Sequence, residues 1–464
     1  MRYYIVIMFA KDLSRLLNPR ITQWMLVLIS ALVSYAGDYV VVTNYPTGHE
    51  PSALCLGNLR GNGLSRDLAV ANYSDNSIGV RLCLDDGTFG RNDTYAVGLN
   101  PTAVKYADFN GDKWADLVTA NSGTNTVSVL INLGYGANFR SATNFIVGTG
   151  ANPRPTDLAV ADINNDGRTD LLVANFDEDS VSVLTNKGSG VFGGLKNYSV
   201  GAGPVSVIVA DLNLDGRLDI VTANKTDGTL SVLLGQGNGG FISQLPVTLF
   251  FSGNPQPASV RGVDLNGDGV VDLVTANYNS NSISVFVGAV SGGQWQISAQ
   301  YDYDTGIHPA SLLVRDLNRD GILDIATANV GSTNIQTYLG VGDGKFQYRG
   351  SCGVGNAPSA ISGSNFNSDD ATDIAVANYD DDTVSVLLYA GPLAYDLAKS
   401  VVEDVPTAIT LKGALLGGGA FSFITNTSPS HGFLTGSMSN LIYIPKTNYF
   451  GSDSFSYRTV VNGG

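Results

Sequence analysis

The residues with the clearest capacity for chemistry lie in the stretch Asp264 to Asn277, DLNGDGVVDLVTAN. Asp264, Asn266 and Asp268 alternate along a tight turn, Gly269 lets the backbone reverse, and Asp272 returns a further carboxylate at the ninth position. Oxygens from carboxylates, an amide and the main chain then converge on one point. That is the donor set of a hard cation, calcium above all, and it needs a turn residue that tolerates positive φ. The loop runs straight on into the apolar residues Leu273 to Ala276, so it feeds a β-strand.

Seven copies of this stretch run through the chain, starting at Asn58, Asp108, Asp162, Asp211, Asp264, Asp316 and Asn365. The starts are 49 to 54 residues apart, and each copy closes on an Ala-Asn pair, at Asn72, Asn121, Asn175, Asn224, Asn277, Asn329 and Asn378. A period near fifty residues is the mark of a repeat architecture. Five copies keep the whole donor pattern: Asp108, Asn110, Asp112 and Asp116; Asp162, Asn164, Asp166 and Asp170; Asp211, Asn213, Asp215 and Asp219; Asp264, Asn266, Asp268 and Asp272; Asp316, Asn318, Asp320 and Asp324. The seventh, Asn365, Asn367, Asp369 and Asp373, has lost one charge. The first, with Asn58, Arg60, Asn62 and Asp67, brings a cation of its own and is expected to bind no metal.

The elements that position these loops are strands. In the third copy Thr156 to Ala161 and Asp170 to Ala174 are short apolar strands flanking the loop, Ser180 to Thr185 alternates as a half-buried strand, and Phe192 to Val200 ends before a Gly/Pro turn. Four short strands repeated seven times describe the blades of a β-propeller. The ring must close, and Asn44 to Leu54 (NYPTGHEPSAL) aligns with Asn197 to Val207 (NYSVGAGPVSV), so the chain begins with a fourth strand. The seventh copy ends at Val384 to Tyr389 without a fourth strand of its own, and the amino-terminal strand is expected to complete it. The Ala of each Ala-Asn pair lets neighbouring sheets approach, and its Asn is expected to satisfy backbone groups of the turn.

The chain has 464 residues, 44% hydrophobic and 14% charged, with a net charge of -15. The five intact loops hold fifteen of the 41 acidic residues; the other 26 equal the 26 Lys and Arg, so the acidity belongs to the loops. A nucleic-acid partner would call for a basic face, and none is expected. Arg15 and Arg20 precede the apolar run Trp24 to Tyr35, and Ser34-Tyr35-Ala36 fits a cleavage site, so 1–36 reads as a secretory signal. An uncleaved anchor is the alternative, although the run is short for a membrane span and no second apolar segment follows. Secretion to the extracellular space or cell surface, with no membrane span after cleavage, is the expected localisation. Cys55 and Cys83 fall on strands separated by a third, about 10 Å apart, beyond disulfide reach, so with Cys352 they are expected to be buried free thiols. Sequons stand at Asn72, Asn92, Asn197, Asn224 and Asn426.

These residues resemble the FG-GAP/VCBS repeats, the calcium-binding propeller repeats also found in integrin α subunits. The resemblance spans roughly Asp38 to Tyr389 and includes Phe89-Gly90, Phe192-Gly193 and Gly201-Ala-Gly-Pro204. It implies calcium at Asp162/Asn164/Asp166/Asp170 and at the matching residues of copies four to six. Copy two has Lys113 where Gly is expected, which touches only the turn. The expected total is about five calcium sites and a sixth, weaker one in copy seven. Beyond Tyr389 the residues PSHGFLTG (Pro429 to Gly436), LIYIP and Tyr449 to Val460 resemble Ig-like or cadherin-like modules of large surface adhesins. The expected organisation is a signal at 1–36, a propeller at 38–390, a linker at 391–404 and a partial Ig-like β-sandwich at 405–464. The fold class is thus all-β, a seven-bladed propeller closed by its amino-terminal strand, in a chain that belongs to a larger multidomain protein.

Catalysis finds little support. His49, His308 and His431 occur singly, no nucleophile elbow or zinc spacing is present, and the carboxylates are committed to the loops. His49 and His308 share one face of the disc and read as solvated loop residues. On that face, opposite the loops, Tyr73, Phe176, Tyr278 and Tyr379 follow the Ala-Asn pair, and aromatics beside Asp and Asn suit a carbohydrate or protein ligand. They suit packing against the next blade equally well. Two functional classes follow: an extracellular calcium-stabilised binding or adhesion module for a glycan or protein, which is the preferred reading, and a propeller enzyme of the polysaccharide-lyase kind.

Overall fold

The fold is described from a computed structural model. It describes residues 39–461 apart from 65, 135, 151, 244–246, 249–254, 370, 395–404, 412, 416–420, 426–427, 438, 448–452 and 456. The signal at 1–36 lies outside the described residues. Among the described residues no helix is long and apolar enough to cross a membrane.

Seven antiparallel sheets follow one another as blades. Blade 3 shows the plan: Pro155–Ala161, Asp170–Asn175, Ser180–Asn186 and Phe192–Ser199 pair in chain order. Each first strand lies beside the first strands of both neighbouring blades, and the cycle closes with Pro358–Ser364 of blade 7 beside Pro51–Gly57 of blade 1. The second strands, such as Asp272–Asn277, are buried at every residue, because a neighbouring blade covers each face of the sheet. This explains their unbroken apolar run, where a half-exposed strand would alternate. Fourth strands form the rim and do alternate, as in Phe89–Ala96.

Closure follows the expected route. Tyr39–Pro46 pairs antiparallel with Thr383–Tyr389, from Tyr39 opposite Tyr389 to Pro46 opposite Thr383, as the fourth strand of blade 7. Its side chains repeat the contacts of blade 3: Ser385 bonds Asn44 at 2.8 Å as Ser182 bonds Asn197 at 2.7 Å. Tyr45 meets Phe89 of blade 1 edge to face at 5.7 Å, just as Tyr198 meets Phe241 of blade 4 at 5.3 Å. Tyr95 with Phe139, Phe145 with Phe192 and Tyr303 with Phe346 make the same pair at other blade junctions. The Phe of each Phe-Gly pair is thus one half of an inter-blade aromatic contact, of a kind that contributes about 0.5–1.5 kcal/mol beyond its buried area.

The Ala-Asn asparagines are buried; Asn72 accepts the turn amide of Gly48 at 3.1 Å, as expected, and the others reach the turn by another route. Asn121 Nδ2 donates to the Thr126 and Ser128 hydroxyls, and Asn175, Asn224, Asn277 and Asn378 make the same pair of bonds. The serine in turn accepts the turn amide of Gly98, Gly148 or Gly201. The asparagine therefore serves the turn through a third-strand hydroxyl. Asn72 and Asn224 are fully buried, which closes those two sequons once the chain has folded. Cys55, Cys83 and Cys352 are free and buried, as expected.

Of the expected linker at 391–404, Pro392–Ala394 is a strand paired with Gly413–Leu415, and 395–404 lies outside the described residues. Thr407–Thr410, Gly432–Ser437 and Asn440–Pro445 form a three-stranded sheet, and Phe421–Thr425 pairs with Tyr457–Val461. This β module has its own small core of Ile409, Leu411, Leu441 and Tyr443.

Candidate metal loops and the opposite turn face

The seven loops join first to second strands, so up-and-down connectivity places them all at one end of the blades. In loop three Asp162 accepts the amides of Asp166 at 3.1 Å and Gly167 at 2.7 Å, Asn164 accepts Asp166 N at 3.0 Å, and Asp166 accepts Arg168 N at 3.0 Å. Loops four to six repeat this with Gly216, Gly269 and Gly321 in left-handed conformation. Lys113 adopts the same conformation at φ 73 and gives its amide to Asp108 at 2.7 Å. The turn of loop two is therefore kept, at about the 1–2 kcal/mol that a side chain costs there.

The ninth-position Asp has a second role that its place in the motif conceals. Asp170 is fully buried, and its two oxygens accept Ile163 N at 3.3 Å from the loop and Asn186 N at 2.7 Å from the end of the third strand. Asp116, Asp219, Asp272, Asp324 and Asp373 make the same two bonds. So does Asp67, in the loop with no intact donor set. The residue clips loop to strand in every blade. Its spare lone pairs alone remain for a cation, since an ionised carboxylate offers about four acceptor sites.

Burial pushes the carboxyls of Asp116 and Asp170 up to about 6, and those of Asp324 and Asp373 up to about 7. The amide bonds pull the other way, and the loops' own Asp charges push further up: Asp112 and Asp108 on Asp116, Asp320 and Asp316 on Asp324. An acid whose folded value exceeds its unfolded 3.8 binds its proton more tightly in the fold. The stability it adds is complete below about pH 4 and is lost as pH rises through 6 to 7. In EDTA, melting temperature is therefore expected to fall between pH 5 and pH 8; a rise over that window would show that these carboxyls are ionised and satisfied without a cation.

The donor chemistry of loops two to six fits calcium: every group is a hard oxygen, and the first- and fifth-position carboxylates lie near enough to raise the proton affinity of the ninth-position Asp. Among the described residues, however, no three acidic, His or Cys side chains converge as a ready-made cage. Arg168 and Arg217 also bond Asp166 and Asp215 in loops three and four. In loop seven Asn365 Oδ1 is buried with no hydrogen-bond partner among the described residues, an acceptor that a cation would satisfy. In loop one, which is one residue longer, the Arg60 guanidinium lies 3.0 Å from Asp67 and 3.8 Å from Asp85, so a resident cation sits on the carboxylate that matches the ninth position of the other loops.

The opposite face is built from the turns after second and fourth strands. The residue after each Ala-Asn pair gives its amide to the left-handed or Gly residue before the first-strand proline of its own blade: Tyr73 to Glu50, Ser122 to Asn100, Phe176 to Arg154, Lys225 to Gly203, Tyr278 to Gln256, Val330 to His308 and Tyr379 to Ala357. A constant backbone ring thus carries seven variable side chains. Tyr278 stacks on His308 at 4.3 Å, 3° from parallel, with the Lys225 ammonium 4.2 Å over its ring. Arg154 covers Phe176 at 3.9 Å, and Tyr73 approaches Tyr379 across the closure at 6.3 Å. The four aromatics pack against neighbouring turns, yet all stay half-buried. Lys225 and Arg154 were missed in sequence; Lys225 could have been found by reading the position after Asn224 in register. Neither turn histidine is merely solvated, for His49 Nδ1 lies 2.8 Å from Asp75, whose carboxylate raises the imidazole's proton affinity.

Comparison with known proteins agrees with this geometry. The family described as FG-GAP-like repeat matches residues 108–173, 162–222, 211–275 and 264–327, each match opening on the first Asp of a loop. No curated protein matches the chain. Similar solved structures include BBS1N in complex with ARL6DN, at 14% identity and TM-score 0.54 over 76% of this chain and 97% of that one. A putative 6-phosphogluconolactonase from Bacteroides uniformis has 17% identity and TM-score 0.52 over 67% of this chain and 87% of its own. Virginiamycin B lyase from Staphylococcus aureus has 10% identity and TM-score 0.51, covering 75% of this chain and 99% of that one. At such identities the likeness is one of fold. The fold is a β-propeller, and residues 108–327 of it are similar to FG-GAP-like repeats.

Proposed function

We propose that this propeller is an extracellular binding or adhesion module, stabilised by calcium in loops two to six and more weakly in loop seven, that presents its turn face to a carbohydrate or protein ligand. The observation that carries the reading is the contrast on that face: one backbone hydrogen bond is repeated in all seven blades while the side chain above it is Tyr in three blades and Ser, Phe, Lys or Val in the others. Similarity to a propeller solved with a protein partner is compatible with this use of the fold. The module would act at the cell surface, within a longer chain.

The second reading, a polysaccharide lyase or other carbohydrate-active enzyme, has one point in its favour. At the closure, His49 with its Asp75 partner shares the turn face with Glu50, Tyr73 and Tyr379, so a base and tyrosyl groups come together. A glycan array in calcium, followed by assay of the bound glycans for unsaturated products, separates the two. Binding without turnover is expected. Tyr278→Ala is expected to weaken retention of a turn-face ligand about tenfold or more, as loss of a central aromatic anchor does, with melting little changed. Turnover of any polysaccharide would overturn the reading.

A further inference from the structure

Blades 5 and 6 depart from the repeat at one place. A cavity of about 500 Å³ opens there, lined by Asp302, Tyr303 and Asp304 of the fourth strand of blade 5, by Thr305 of the turn that follows it, and by Gln336, Tyr338 and Tyr348 of blade 6. The register identifies what other blades put at these positions. Gln336 stands where blades 2, 3, 4, 5 and 7 have Ser128, Ser182, Ser231, Ser284 and Ser385, and Tyr338 stands where they have Leu130, Leu184, Leu233, Phe286 and Leu387. Asp302 replaces the asparagine found at Asn44, Asn144 and Asn197, and Asp304 lies opposite Ser282, where other fourth strands carry Pro46, Ile146 or Ser199. The fold closes five other blades without these groups, so packing does not demand them.

Their arrangement is that of a receptor. Tyr338 is buried, and its one hydroxyl hydrogen lies between the Asp304 carbonyl at 2.7 Å and Gln336 Oε1 at 2.9 Å, which fixes the floor. Thr305 Oγ1 lies 3.0 Å from the same Oε1 and 3.1 Å from Asn329 Oδ1, so Gln336 Oε1 faces hydroxyls and its Nε2 is the side-chain donor of the cleft. Tyr348 is 57% exposed, and its ring is braced edge-on against Tyr338 at 5.7 Å. Asp302 is held by Ser284 at 2.6 Å, and Asp304 is exposed. A braced aromatic surface beside two carboxylate acceptors and an amide donor matches a pyranose, which has an apolar C–H face and a rim of hydroxyls. The volume lies within the ~300–1,000 Å³ usual for small-ligand sites.

We propose that this rim cleft between blades 5 and 6 is a saccharide subsite, distinct from the Tyr278 cluster of the turn face, taking one or two neutral hexose units with Tyr348 as the stacking platform. It deepens the binding-module reading and rests on it. The test is saturation-transfer NMR and titration calorimetry of the full chain in calcium with cellobiose, maltose, lactose and N,N′-diacetylchitobiose, and with arginine and lysine as cationic comparators. At least one disaccharide is expected to bind, with affinity about tenfold or more weaker in Tyr348→Ala, kept in Tyr348→Phe, and several-fold weaker in Asp304→Asn. These residues are exposed, and unchanged melting confirms that the variants are folded. Binding lost in Tyr278→Ala but kept in Tyr348→Ala would move the sugar to the turn face, overturning the cleft while upholding the module. Binding of arginine or lysine but no sugar would make the carboxylates a cation trap and overturn the saccharide. Failure of every disaccharide to bind would overturn the cleft as well.

Discussion

A chain that begins at Pro51, and so lacks Tyr39–Pro46, is expected to lose hydrogen-exchange protection throughout Thr383–Tyr389 while blades 3 to 5 keep most of theirs. Seven residue pairs join those two strands, and removing one partner leaves a bare strand edge and an open ring. The loss extends past the pairing. Tyr39 donates its hydroxyl to the Thr372 carbonyl beside loop seven at 2.8 Å, and the Tyr45 hydroxyl oxygen accepts Phe89 N of blade 1 at 2.9 Å. Blade 7 therefore loosens at its loop, and blade 1 loses the aromatic partner of Phe89. Blades 3 to 5 keep neighbours on both sides, so their opening energies change least. Exchange measured by mass spectrometry checks this, and undiminished protection of Val384 to Leu388 would show that another segment closes the ring.

Chelation is expected to have the largest effect on stability. Each intact loop gathers three Asp carboxylates, two at the surface and one buried, and for unit charges about 4 Å apart the repulsion is about 4 kcal/mol at an effective dielectric near 20. A cation present at about a hundred times its dissociation constant adds about 2.7 kcal/mol per site. Summed over five loops, calcium should raise the melting temperature by roughly 10 °C or more. Loop one should be indifferent, because Arg60 travels with the chain. The measurement is a thermal melt in calcium against excess EDTA at neutral pH; coincident curves would contradict a structural role for the metal.

Why some of this was legible in sequence and some was not follows from how each feature is encoded. Blades, loops and latch recur in register, so seven imperfect copies correct one another, and the Asn44-Tyr45 pair could be placed by matching Asn197-Tyr198. The second role of Asp170 and its counterparts was hidden because a carboxylate that clips two amides and one that holds a cation look alike in a motif. Only loop one, which keeps Asp67 after losing the other acids, hinted at the clip. Asn121 was assigned to the turn backbone because its real partners, Thr126 and Ser128, lie on the next strand. Pro392–Ala394 looked like a linker since its pairing partner lies some twenty residues further on. The rim cleft joins residues from two repeats, and no window of one repeat contains it. Reading each register position across all seven blades would have exposed Gln336 and Tyr338 as the odd residues.

The central claim is that the repeated loops hold calcium, and the most direct measurement is the number of calcium ions bound per chain. Equilibrium dialysis of the full chain at neutral pH, with bound metal read by mass spectrometry, should give about five, with a sixth filling at higher calcium as loop seven is occupied. Asp268→Ala should bind one fewer, since it removes the fifth-position carboxylate from loop five and leaves the Asp272 clip in place. A folded chain that binds no calcium would contradict the account, and would mean that the loops are closed by the amide bonds of their own backbone.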